Sequence, residues 1–355
     1  AARIQIDAMA ANPKLAGYCY TQLSDAGHEF CAGVLDRWRR PKPVLNTLAE
    51  VQRPLRPLIR LSKTNLRPRE DCEVWVALAN EEGIAETVSL SLQVVGPTNQ
   101  VLWKKKRNVK TPRNRQNLWQ GVISASGATG RHRFVVRLMR DMTVLAEASE
   151  TFYVYEGTNM PETEVHLLDP NGEYLEALSK TVRLENLLAS IHIVVPAANT
   201  IRAYPDNDLM QVLAQVKGGA IVIFFGPPDD WNDLAQLLGE DVNATPKDAV
   251  GAFLPVCHYV KLHPVFDKLP ARCLMGQPYC NVIPSKAFLE TGDEDICGAF
   301  NASSIAADNY MVENPVWWSN DILVRPYGDG RIVMTHLRVL EHLGSDPLAD
   351  RLLVN

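Results

Sequence analysis

Between residues 57 and 156 apolar and polar residues alternate in one short run after another. Cys72-Glu73-Val74-Trp75-Val76-Ala77-Leu78, Val88-Ser89-Leu90-Ser91-Leu92-Gln93-Val94 and Arg133-Phe134-Val135-Val136-Arg137-Leu138 place an apolar side chain at nearly every second position. A strand turns successive side chains to opposite faces, so this pattern buries one face of each run and wets the other. Turn residues separate the runs, at Gly96-Pro97-Thr98-Asn99 and from Gly127 to Gly130. Roughly seven such strands in about 100 residues fit an immunoglobulin-like β-sandwich over residues 57–156.

The pattern changes after residue 162. Ile191-His192-Ile193-Val194-Val195-Pro196 and Ile221–Phe225 are nearly continuous apolar runs. Thr163 to Leu168 precedes them as a further strand. Helical stretches lie between, at Tyr174 to Val182, Leu209 to Val216 and Trp231 to Leu238. Uninterrupted apolar strands are covered on both faces, and their alternation with helices predicts a mostly parallel α/β sheet over residues 162–355. A hairpin is expected over Gly328-Asp329-Gly330, and a final helix starting at Asp346-Pro347. Residues 3–56 read as a helix, a strand, a loop and a second helix over Val44 to Gln52. Pro54 and Pro57 then mark a linker.

A chain of 355 residues suggests two or three domains. Its net charge of −5 argues against nucleic acid as the main partner. No apolar run approaches the ~18 residues of a membrane span, so no membrane partner is expected. No basic region followed by an apolar core is visible at the start of the sequence. Seven cysteines without a Cys-x-x-Cys favour reduced thiols and a cytoplasmic setting. No Cys/His cluster has the spacing of zinc ligands, and no cofactor is expected. Lys104-Lys105-Lys106-Arg107, with Lys110, Arg113 and Arg115, is the one concentration of charge. It reads as an exposed edge strand, where lysines discourage edge-to-edge pairing; a polyanion site is the alternative.

The segment Gly17-Tyr18-Cys19-Tyr20-Thr21-Gln22-Leu23-Ser24-Asp25 reads as a half-aromatic strand, and a polar loop follows through Glu29, Gly33, Asp36-Arg37 and Pro41-Lys42. It resembles the segment that closes the (β/α)₈ barrel in glycoside hydrolase family 2, the β-galactosidase, β-glucuronidase and β-mannosidase group. Gly17, Tyr18, Tyr20, Thr21, Gln22, Leu23, Asp25, Glu29, Gly33, Asp36, Arg37, Pro41 and Lys42 match in order. Ala26-Gly27-His28, Cys31 and Trp38-Arg39-Arg40 depart from the pattern. The resemblance covers about the first 55 residues. It implies that residues 1–56 are the last strand and closing helix of a barrel, with the sandwich following. It also implies a parent enzyme that cleaves terminal β-linked sugars through a covalent intermediate, using two carboxyl groups about 5–5.5 Å apart. Both catalytic glutamates are expected upstream of Ala1, so this chain is expected to be inactive alone. Its partners would be carbohydrate, through the parent, and the missing N-terminal part, with a homo-oligomer as a further expectation. By resemblance Tyr20 stacks on the sugar, and Gln22 and Asp25 bind hydroxyls or hold the loop.

The layout of residues 162–355 resembles flavodoxin-like and class I glutamine-amidotransferase-like modules. Amidotransferases set a cysteine on a strand-to-helix elbow. The strand ending at Phe225 leads instead into Gly226-Pro227-Pro228-Asp229-Asp230, so a scaffold is expected and no active thiol at Cys257, Cys273 or Cys280. Trp317-Trp318 reads as packing a core or interface, with sugar stacking as the alternative. A non-catalytic carbohydrate-binding or interaction protein is the second reading of the whole chain, and a thiol-dependent enzyme the third.

Overall fold

The computed structural model describes residues 2–12, 14–15, 17–20, 22–25, 33–111, 116–125, 127–157, 159–195, 208–226, 246–248, 256–289, 294–301 and 317–355. The chain is mostly β-sheet with few helices and divides into two compact units, Ala1–Glu156 and Gly157–Asn355.

The first unit is built on two sheets. One joins β1 (Leu55–Leu61), β3 (Asp71–Asn80) and β6 (Gln116–Ser124), with β3 in the centre and all pairs antiparallel. The other runs β2 (Asn65–Leu66), β8 (Thr143–Val154), β7 (Gly130–Arg140), β4 (Thr87–Val95), β5 (Val101–Lys110). Alternation builds the core between them. Cys72, Val74, Val76 and Leu78 on β3 are buried with Val88, Leu90, Leu92 and Val94 on β4 and Phe134, Val136 and Leu138 on β7. Each large side chain contributes about 1.5–3 kcal/mol by leaving water. Trp119 stacks on Phe134 with centroids 6.1 Å apart. Strand β5 lies at the edge of its sheet, and Lys104, Lys105, Lys106 and Arg107 are exposed there. Arg113 and Arg115 lie outside the described residues.

Helices α1 (Ala2–Ala11) and α2 (Val44–Val51) share a small core of Ile6, Val34, Leu48 and Val51, and Ala10 packs on Leu58 and Ala79 of the sandwich. The strand expected over residues 17–25 is absent among the described residues of that stretch. The backbone is a loop tied by isolated bridges from Ser24 to Leu35 and from Leu35 to Pro41. Tyr18, Tyr20 and Leu23 are exposed, so the apolar half of the alternation has no core to face. The loop's backbone is paired at one end, where the Gln22 and Leu23 carbonyls accept from the Val34 and Leu35 N–H groups and the Asp25 N–H donates to the Leu35 carbonyl.

In the second unit one sheet runs β10 (Arg183–Glu185), β9 (Glu164–Leu168), β11 (Ile191–Val194), β12 (Ile221–Phe225), β20 (Gly330–Thr335), β19 (Ile322–Tyr327). The first five are parallel and β19 is an antiparallel edge. In chain order the parallel strands stand 2-1-3-4-5. The short helix α3 (Leu175–Ser179) follows β9, and α4 (Asp208–Lys217) lays Leu209, Val212, Leu213 and Val216 in one core with Val222, Phe224 and Ile332. Strands β19 and β20 form the expected hairpin. A Cβ at Gly330 would stand 2.1 Å from the Ala220 carbonyl oxygen, so only glycine fits that approach. Helix α5 (Pro347–Val354) begins as its sequence dictates: the Asp346 carboxylate accepts from the Leu348 N–H at 2.9 Å and Pro347 opens the first turn. The helix expected over 231–238 lies outside the described residues.

The described residues between 246 and 320 correct the expectation of one mostly parallel sheet. They form a second, antiparallel sheet in the order β13 (Pro246–Asp248), β16 (Lys286–Phe288), β18 (Trp317–Asn320), β17 (Cys297–Asn301), β14 (Cys257–Val260), β15 (Cys273–Leu274). The strands are two to five residues long, too short to display a period. His258, Val260, Cys297, Ala299, Trp317 and Ser319 are buried.

Candidate functional site

The loop of the first unit brings its matched residues onto one another. The Asp25 carboxylate, only 6% exposed, accepts from the Gly33 N–H at 2.8 Å and pairs with the Lys42 ammonium at 2.6 Å. The Gly33 approach excludes a side chain: a Cβ there would lie 2.3 Å from the Asp25 nitrogen. Asp36 accepts from the N–H groups of Trp38 and Arg40 and from the Arg40 guanidinium at 2.7–2.9 Å. Arg37 and Arg40 lie over the Trp38 ring, 5.0 and 4.8 Å from its centroid. Gln22 is half-buried; its carbonyl accepts from the Val34 N–H at 3.1 Å, and its amide nitrogen has no hydrogen-bond partner among the described residues. Tyr20 stands exposed at the surface. Asp25 is thus engaged within the loop, whereas Tyr20 presents its ring outward.

Two cavities adjoin helices α1 and α2. One, of about 210 Å³, is lined by Arg3, Asp7, Glu50, Arg53, Arg56 and Glu150 among others. Its charges are largely matched, since Arg3 pairs with Glu50 and the buried Arg56 with Asp7. Burial pushes the Glu150 carboxyl above its ordinary range; Arg3 opposes this and Asp7 adds to it. The other cavity, of about 360 Å³, is lined by Ile6, Met9, Leu15, Tyr18, Arg56 and Glu81 among others. The Tyr18 hydroxyl there accepts from the Gln52 amide at 3.2 Å. Neither cavity is lined by Tyr20, Gln22 or Asp25.

The second unit carries two polar clusters that no local motif announces. His258 on β14 and Asp321 share a 2.8 Å hydrogen bond, with both side chains almost wholly buried. Asp321 joins β18 to β19, and so joins the two sheets. Its N–H donates to the Cys297 carbonyl at 3.0 Å, and its own carbonyl accepts from the His336 N–H and the Thr335 hydroxyl at 3.1 Å. Burial pushes the Asp321 carboxyl up, against the pull of His258. The other cluster is His166 on β9 against His192 on β11, their Nδ1 atoms 3.2 Å apart.

Burial pushes the Cys297 thiol well up, with Asp321 adding to it, and burial also raises Cys273. A reactive cysteine needs a lowered pKa and access to solvent. At the end of β12 the left-handed backbone position, φ 71°, belongs to Gly226, which has no side chain to offer. Among the described residues no three histidine, cysteine or carboxylate side chains are grouped to hold a metal ion. No helix among them is long and apolar enough to cross a membrane.

No protein-family model matches the chain, and no curated protein matches it. Partial likenesses exist among solved structures. A glycosyl hydrolase family 2 member from Bacteroides cellulosilyticus is 12% identical, covers 52% of this chain and 34% of its own, and has a TM-score of 0.25. A beta-glucuronidase from glycoside hydrolase family 2 is 7% identical over 52% of this chain and 27% of its own, with a TM-score of 0.25. The sporulation control protein Spo0M from Bacillus subtilis is 12% identical over 36% of this chain and 56% of its own, at 0.22. The chain thus spans only about a third of the length of the first two. At such scores these likenesses do not place the chain in a family.

Proposed function

We propose that the chain is part of a family 2-like retaining glycoside hydrolase acting on terminal β-linked sugars, and that it supplies structure and not the catalytic carboxyl pair. The observation that carries this reading is the ordered match over Gly17–Lys42, together with the closure of three of its matched residues on one another: Asp25 on Gly33 and Lys42. Residues far apart in the motif serve one local structure, as a motif kept for a loop's shape would. On this reading residues 1–56 are the end of a barrel. Their closing segment is a loop because its backbone partners are confined to one end, at Val34 and Leu35, too few to extend a ladder. Tyr20 is the stacking wall for the sugar, and Asp25 holds the loop.

The second unit is read as a flavodoxin-like or class I amidotransferase-like scaffold. Its 2-1-3-4-5 strand order supports the layout, and Gly226, at the end of β12, carries no side chain that could serve as a nucleophile there.

The isolated chain is therefore expected to show no turnover of aryl β-glycosides of galactose, glucuronic acid or mannose. The informative controls are Asp7→Asn and Glu150→Gln, because these two carboxyls share a cavity and burial pushes the Glu150 carboxyl up, the direction a general acid requires. Turnover by the pure chain that either substitution removes would overturn the proposal and put the active site in that cavity.

A further inference from the structure

The second sheet of the second unit turns a cluster of rings outward. Phe300 on β17 pairs directly with Trp318 on β18 and with Cys257 on β14. The Phe300 and Trp318 centroids are 5.0 Å apart with the rings inclined at 30°. Tyr259 meets Trp318 edge-on at 6.1 Å and lies 6.5 Å from Phe300. The tryptophan pair of the sequence divides: Trp317 is 7% exposed and Trp318 64%. Successive strand residues face opposite ways, so one packs the core and the other does not. Gly298 sits opposite Tyr259, and a Cβ there would come within 2.9 Å of the tyrosine hydroxyl. Leu274, paired with Tyr259 on the other side and also exposed, extends the apolar floor.

A polar rim borders the rings. The Tyr259 hydroxyl lies 3.5 Å from one Asp295 oxygen, and the Lys261 ammonium pairs with the other. Burial, with Asp295 nearby, raises the Tyr259 phenol and keeps it a neutral donor. The rim charges cancel, so the patch selects neither a polyanion nor a polycation. Three rings and one leucine are also too little surface for a stable protein interface, which takes about 800 Å² from each partner. A pyranose ring fits both parts: its C–H face lies flat on an aromatic ring, and its hydroxyl edge seeks directional partners. An open platform favours an extended β-linked chain, whose rings lie flat.

We propose that Trp318, fixed by Phe300 and Tyr259, is a stacking platform for a pyranose ring of a β-linked glycan, with Asp295 and Lys261 taking its hydroxyls. This site lies in the second unit and does not rest on the glycosidase reading.

Affinity electrophoresis of the full chain through native gels containing mixed-linkage β-glucan, galactomannan or xylan tests it. Retardation is expected in at least one gel, weakened at least tenfold by Trp318→Ala, whose side chain is mostly solvent-exposed. Asp295→Ala leaves the rings in place and is expected to weaken retardation severalfold with thermal unfolding unchanged. No retardation in any gel, or equal retardation of the Trp318→Ala chain, would overturn the proposal. So would sedimentation showing a self-association that Trp318→Ala abolishes, since the face would then be a contact between copies.

Discussion

Lowering the pH from 7 to 4.5 is expected to remove about 3–5 kcal/mol of stability from the second unit. His192 is fully buried, and burial, with His166 beside it, holds its pKa down at about 4. His336 packs on Phe288 with centroids 4.2 Å apart; burial, with Lys286 nearby, holds it at about 3. The ring Nε2 atoms of both lack hydrogen-bond partners among the described residues, so a proton there gains no acceptor. In the unfolded chain both titrate near 6.5. Between that value and their folded values the unfolded state binds more protons, so stability falls as the pH falls. The loss begins near pH 6.5 and continues to about pH 4 for His192 and to about pH 3 for His336. Hydrogen exchange read by mass spectrometry separates the units, and peptides of the parallel sheet should lose protection first. His336→Phe removes one of these groups and should flatten the pH dependence. An unchanged pH profile in that variant would contradict the assignment.

The second large effect concerns the join between the sheets. Asp321→Ala and His258→Ala are each expected to destabilise the second unit by about 3–5 kcal/mol, because removing one member of a buried pair strands the other. The double replacement should cost much less than the sum of the two, since the stranded group is then gone as well. Urea unfolding of the four proteins measures this coupling. Single variants within about 1 kcal/mol of the parent would mean that His258 and Asp321 do not hold the sheets together.

Some of this structure was legible in the sequence because it is set by neighbours along the chain. The alternation on β3, β4 and β7 is local, and each run needed only one buried face. Asp346-Pro347 fixes a helix start within three residues. The lysines on β5 mark an edge because charge there discourages pairing with a further strand. The stretch 17–25 shows the limit of that logic. Its aromatic alternation is a strand pattern, yet a strand requires a ladder partner, and Tyr18, Tyr20 and Leu23 remain exposed instead. The second sheet of residues 246–320 was illegible for a related reason. Strands of two to five residues show no period, and their pairing joins segments as far apart as Cys257 and Phe300. Of the candidate site, Asp25 was expected to bind sugar hydroxyls or to hold the loop, and it pairs with Gly33 and Lys42 of the same motif. The His258–Asp321 pair joins residues 63 positions apart, and no local motif connects them.

The central proposal is that the chemistry belongs to carboxyl groups outside this chain. The direct measurement is mechanism-based labelling of the protein expressed from its whole reading frame with 2-deoxy-2-fluoro-β-glycosides of galactose, glucuronic acid and mannose. Such sugars trap the glycosyl-enzyme ester of a retaining enzyme, and peptide mapping then locates it. The proposal predicts a covalent label on a glutamate outside residues 1–355. A label on a carboxylate within them, such as Asp7 or Glu150, or a protein that takes no label and cleaves none of the corresponding aryl glycosides, would contradict it.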